Sequence, residues 1–131
     1  GIATGAGGFA GVFDGECAFN NGIVRLNGGL SFSVTSVASN YTIVSTDIVV
    51  LVSTAGGSRT VTLPSASSRS GRVLIVIKND TSSNTLTVTR SGSDQIAIAP
   101  GVVNSVSTST PYRGWIFVSG GSTLWYAEAW A

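Results

Sequence analysis

Three consecutive stretches decide the fold: Tyr41-Thr-Ile-Val-Ser45, then Asp47-Ile-Val-Val-Leu-Val-Ser-Thr-Ala-Gly-Gly-Ser-Arg-Thr-Val-Thr-Leu-Pro64, then Gly71-Arg-Val-Leu-Ile-Val-Ile-Lys78. Each is rich in β-branched residues, and Gly-Gly or a Ser/Pro-rich bend separates them, which is the composition of successive strands and turns. From Ser58 to Leu63 the alternation is strict, with Val61 and Leu63 on one face and Thr60 and Thr62 on the other. Ile48 to Val52 and Val73 to Ile77 are nearly continuous apolar runs, the pattern of strands covered on both faces.

Outward from this centre the same grammar continues. Leu30, Phe32 and Val34 alternate with Ser31, Ser33 and Thr35, and Leu86 and Val88 alternate with Thr85, Thr87 and Thr89. Gln95 to Ala99 reads as a short strand closed by Pro100-Gly101, a turn pair. Val102 to Ser107, Trp115 to Ser119 and Leu124 to Trp130 read as the last strands. No window sustains a helical period. Turn signals at intervals of about 8–12 residues predict an all-β domain: a sandwich, a jelly roll or a barrel. The reading adopted is an antiparallel, jelly-roll-like β-sandwich over residues 30–131.

Residues 1–29 differ. Glycines recur at Gly8, Gly15, Gly22 and Gly29, and between them lie Phe9, Phe13, Phe19, Ile23 and Leu26. Strands this short cannot bury a core alone. Either they stack on copies of themselves, in a shaft-like or oligomerisation segment, or the spacing is that of a Gly-rich linker. The large apolar residues favour order.

Composition narrows the function. Only 10% of the 131 residues are charged, against about 25% in ordinary soluble domains, and mean hydropathy is +0.37. No apolar run approaches the ~20 residues of a spanning helix. The continuous apolar strands, without aromatic girdles at both ends, also argue against a transmembrane barrel. We therefore expect no membrane insertion. Net charge is +1, with no basic stripe of the kind nucleic acids require. The single cysteine, Cys17, rules out an internal disulfide and a multi-cysteine metal site. Methionine is absent, which suggests a piece of a longer chain.

Histidine is also absent, which removes the Ser-His-Asp triad and the commonest metal ligand. Asp14 and Glu16 form the only close acidic pair, at alternate positions around Gly15. They could ring a symmetry axis or hold a cation, but a solvated turn explains them. Asp47, Asp80 and Asp94 read as turn caps, and Glu128 as an outward-facing residue of the last strand. No enzyme, cofactor or metal is expected. The aromatic-rich end, Tyr112, Arg113, Trp115, Phe117, Trp125, Tyr126 and Trp130, allows two readings: a surface that stacks on sugars, or core packing. Trp115 and Phe117 share an apolar face and read as core. Tyr112, Arg113 and Trp125 are the candidate ligand-binding residues. Asn40-Tyr-Thr and Asn79-Asp-Thr match glycosylation sequons, relevant only to a eukaryotic secreted chain.

Tyr41-Thr-Ile-Val, Val49-Val-Leu-Val, Val61-Thr-Leu-Pro64, Gly71-Arg-Val-Leu-Ile-Val-Ile-Lys78 and Asn84-Thr-Leu-Thr-Val together resemble a recurring C-terminal module of bacteriophage tail fibres, spikes and capsid fibres. The module closes on Gly-X-X-Trp-Tyr; here Gly121-Ser-Thr-Leu-Trp125-Tyr126 is one residue longer. The resemblance covers about residues 40 to 127. It implies a homotrimeric appendage on the virion surface, whose tip binds a host-surface glycan or protein. A capsid decoration or cement protein, bound to other virion proteins, is the alternative within that class. A carbohydrate-binding module is the alternative outside it. No binding residue transfers from the module to this chain.

Overall fold

The computed structural model describes Gly15 and residues 21–130. The chain divides into two units, Gly1–Ser31 and Phe32–Ala131. Asp14, Glu16, Cys17 and most of the Gly-punctuated 1–29 segment lie outside the described residues. Within the first unit, Ile23, Val24, Leu26 and Leu30 are all exposed.

The second unit is all-β. Eleven strands run in order: β1 (Val34–Val37), β2 (Tyr41–Thr42), β3 (Val49–Val52), β4 (Arg59–Thr62), β5 (Val73–Lys78), β6 (Leu86–Thr89), β7 (Gln95–Ile98), β8 (Gly101–Val103), β9 (Ser105–Thr108), β10 (Gly114–Ser119) and β11 (Leu124–Trp130). They form a seven-stranded sheet, β1-β3-β5-β10-β11-β7-β8, and a four-stranded sheet, β2-β4-β6-β9.

Both sheets are mixed, which corrects the antiparallel expectation. β1, β3 and β5 are parallel neighbours in one sheet, and β2, β4 and β6 are parallel neighbours in the other. The cause is the route of the chain. From β1 to β6 each successive strand enters the opposite sheet, so strands two apart in sequence lie side by side and point the same way. The crossover a parallel pair needs is thus a strand of the other sheet rather than a helix. Turn signals alone do not distinguish this winding from a hairpin. Antiparallel β9 and β10 then pair with β6 and β5, and β11 joins β10 in a hairpin through Gly120-Gly121. The stretch Val102 to Ser107 is two strands, because the chain changes sheets at Asn104.

The inward faces of the two sheets share one core. Val50, Val52, Leu74, Val76, Ile96, Trp115, Phe117 and Trp125 come from the larger sheet, and Val61, Leu86 and Val88 from the smaller. Fully burying side chains of this size contributes about 1.5–3 kcal/mol each. The alternation of Leu30, Phe32 and Val34 has a different outcome from the expected strand. Regular pairing begins only at Val34, because its partner β3 begins at Val49, whose N–H reaches back to the Ser33 carbonyl. All three apolar side chains are exposed.

Charged groups are locked inside the winding. Lys78 is fully buried at the end of β5, and its ammonium donates to Asp80 Oδ1 (2.7 Å), the Asp80 carbonyl (3.1 Å) and the Ser82 carbonyl (2.7 Å). The Asp80 carboxylate also accepts from the Ser82 N–H, the Thr54 N–H and the Thr54 hydroxyl. Burial opposes ionisation of Asp80, but bonds from Lys78, Ser82 and Thr54 outweigh it and hold its carboxyl well below the usual carboxylate range. Asp47 is also lowered. Burial again opposes ionisation, and bonds from the Thr35 hydroxyl, the Val44 N–H and the Tyr41 hydroxyl, with the charge of Arg72, prevail.

Carboxyls lowered in the folded state stabilise it fully above their unfolded pKa, about 3.9, and lose that contribution as pH falls toward the folded values. The denaturant midpoint is therefore flat near neutrality and drops below about pH 4. Asp80→Ala, which leaves the Lys78 ammonium buried without its counter-ion, costs about 3–5 kcal/mol at pH 7 in urea unfolding.

Candidate functional site

The acids are structural ties. Asp80 and Thr54 join the β3–β4 turn to the β5–β6 turn, and Asn84 Nδ2 adds a bond to the Thr54 carbonyl. Asp94 Oδ2 accepts from the Ala66 N–H, so a single 3-10 turn at Ala66–Ser68 is held to the β6–β7 turn. Asp47 joins β1, β2 and the turn before β3. The expectation of turn caps is right in kind and short in range, since the partners of Asp80 and Asp94 include groups 26 and 28 residues away. Glu128 is exposed on β11. Among the described residues no group of three or more His, Cys, Asp or Glu could hold a metal ion. No helix among them is long and apolar enough to cross a membrane.

The three candidate binding residues are not brought together. Tyr112 follows Pro111 in the turn before β10, is 61% exposed, and has φ of 58°, a left-handed conformation uncommon for a bulky side chain. Arg113 is half-buried, and its Nε donates to the Trp130 carbonyl at 3.2 Å, closing the β10–β11 ladder. Trp125 is a correction. It is fully buried on the inward face, five residues from that end of β11, which is about 17 Å along a strand. Its indole N–H donates to the Pro64 carbonyl. A tryptophan within a turn-bounded aromatic run does not reveal which face it takes; the register does, because Trp125 and Trp130 fall on opposite faces. Trp115 and Phe117 are core, as their shared face implies.

Sequence reasoning missed a cavity of about 440 Å³ lined by Phe32, Ser45–Ile48 and Arg69–Val73. Its volume lies in the range of small-molecule sites. It brings together segments that the winding places side by side, and the only linear signal is the Arg69-Ser-Gly-Arg72 spacing.

The outward faces of the sheets differ in chemistry. On the smaller sheet, Thr42, Thr62, Thr89 and Ser105 form one cross-strand row, and Thr60, Thr87 and Ser107 a second. On the larger sheet, Val34, Val49, Ile75 and Ile116 form one row, and Val73, Val118, Tyr126, Ala97 and Val102 another. Leu51, Ile77 and Trp130 add a third apolar row, with the Trp130 ring lying over Gly114. Within the second unit, the continuous apolar runs of β3 and β5 thus have only one face covered by the described residues.

Compared with known proteins, the chain matches no protein-family model and no curated protein at a significant level.

Replacing the two exposed and buried aromatics separates surface from core. Tyr112→Ala folds with stability within about 1 kcal/mol of wild type. Trp125→Ala loses about 3–5 kcal/mol, because it opens a cavity and leaves the Pro64 carbonyl without its donor. Thermal or chemical unfolding of the two variants checks this.

Proposed function

We propose that this chain is a non-enzymatic domain at the tip of a viral (phage) fibre or spike. It assembles as a homotrimer on the virion surface and binds a host-surface glycan or protein. Each protomer contributes a β-sandwich, with the segment before it serving as shaft. One observation carries the reading: the apolar outward face of the seven-stranded sheet. Strands about 4.8 Å apart and three to seven residues long give that face roughly 500 Å² in projection. Monomers rarely expose contiguous apolar patches larger than a few hundred Å², and a standard interface takes about 800 Å² from each partner. The sheet face is the larger part of such an interface. A second copy of the chain fits it because the face carries almost no charge: Ser36, Gln95 and Glu128 are its polar interruptions. An apolar face without charges of its own selects a partner surface of the same kind. The exposed Ile23, Val24, Leu26 and Leu30 add to the apolar surface that identical neighbours would shelter. The Thr/Ser face of the smaller sheet supplies hydroxyls that solvate the outside, consistent with a chain so poor in charge. The resemblance of Tyr41 to Tyr126 to the fibre and spike module supplies the biological setting.

Sedimentation or light scattering at micromolar concentration tests the reading. The expected mass is about 40 kDa, three times the 13.3 kDa chain. Ile116→Lys, at an outward position that the protomer leaves exposed, gives a folded monomer. A wild-type monomer removes the basis of the proposal. Adsorption to intact bacterial cells supports the tip role, and binding to emptied capsids in its place identifies a decoration protein.

A further inference from the structure

We infer that the cavity between Phe32, Asp47 and Arg72 binds an anionic sugar, through two guanidinium groups set over an apolar wall. Arg69 and Arg72 both line it. Arg72 is only 9% exposed, and its Nη2 donates to the Val44 and Asp47 carbonyls at 2.6 and 3.1 Å, which fixes the group in place. No other side-chain hydrogen bond of Arg72 forms among the described residues, and the Arg69 side chain forms none. The direct ion pair present among these residues is Lys78–Asp80; Arg72 feels the charge of Asp47 without pairing with its carboxylate, and Arg69 has no carboxylate in contact.

The one acid in the wall does not supply that partner. Asp47 Oδ1 is held by the Thr35 hydroxyl at 2.6 Å, and Oδ2 by the Tyr41 hydroxyl and the Val44 N–H at 2.7 and 2.9 Å. Its charge is satisfied from the side of β1 and β2. Two arginines against one acid leave the lining with a formal charge of +1. A guanidinium nine-tenths buried, with only Nη2 bonded and no direct ion pair, gains from an anion that completes it. The planar fork of arginine matches a carboxylate or a phosphate in two parallel bonds. The rest of the wall fits a sugar ring: Ser45, Thr46 and Ser70 offer hydroxyls, while Phe32, Ile48 and Val73 offer apolar surface. The ligand class is therefore a saccharide bearing a carboxylate or phosphate. The inference rests on the host-surface reading above and names the ligand chemistry that reading leaves open.

The test is NMR titration of the full chain with glucuronate, glucose 6-phosphate, inorganic phosphate and glucose. The expected result is millimolar binding of one or both charged sugars, with shifts in the amides of residues 45–48 and 69–73, weakening as salt is raised. A response to glucuronate alone assigns a carboxylate, and to glucose 6-phosphate alone a phosphate. Arg69→Ala, a change at an exposed residue whose side chain makes no hydrogen bond, weakens binding about tenfold. Arg69→Lys keeps the charge, loses the fork and falls between. The inference is overturned if glucose binds as well as the charged sugars, or if inorganic phosphate binds as well as the sugars. It is also overturned if Arg69→Ala is unchanged, or if nothing shifts at about 20 mM, where a millimolar site is saturated. A trimer that adsorbs to cells equally well with Arg69→Ala keeps the appendage reading and removes this site. Anion binding by a monomer does the reverse.

Discussion

A chain that winds between two sheets must join its turns as firmly as its strands, and here buried charge makes the joints. β5 carries Lys78 on its inward face, where an aliphatic residue would pack, and the ammonium spends its three donors on Asp80 and Ser82. Asp80 in turn accepts from Thr54, in the turn after β3. The parallel pair β3–β5 is thereby tied at its end by a bond network. A buried pair of this kind contributes little net stability against an apolar replacement, but breaking it is costly. Its consequence is geometric: the two turns have one arrangement in which Lys78, Asp80 and Thr54 all find their partners. Asp47 does the same at the opposite end of β3, and Asp94 holds the 3-10 turn.

Much of the inward face was legible in the sequence. Val61, Leu63, Leu86 and Val88 alternate with threonines, and all four are fully buried. The pairing partners were not legible, because a Gly-Gly or Ser/Asn turn looks the same whether the next strand returns beside the last or crosses to the other layer. The burial of Lys78 and Trp125 was not legible for a related reason. A charged residue ending an apolar strand, or a tryptophan near a turn, takes its burial from the register with strands far away in sequence. The cavity was illegible because Phe32, Asp47 and Arg72 meet only through the winding. Asp47, Asp80 and Asp94 were read as turn caps, and their long-range partners follow from topology alone.

The two outward faces connect fold to function. A β-strand rich in Val and Ile can satisfy a core on one side and still present apolar surface on the other, which β3, β5 and β10 do. The threonines of the smaller sheet show that the same fold accepts polar outward positions, so the apolar face is a property of the larger sheet and not of the architecture. That asymmetry is the physical argument for assembly. Arg69 and Arg72 lie where Val73, at one margin of this face, meets the cavity, so the proposed partner and ligand surfaces would share neighbouring residues of one segment.

Hydroxyl-radical footprinting of the intact protein tests the central claim most directly, because the chain contains its own reference. Tyr112 and Tyr126 are 61% and 54% exposed in the protomer, and only Tyr126 lies on the apolar sheet face. Burial of that face by identical chains predicts that Tyr112 is oxidised rapidly while Tyr126, Ile116 and Val118 are protected, and that dilution to the monomer erases the difference. Equal oxidation of the two tyrosines at high protein concentration would contradict it.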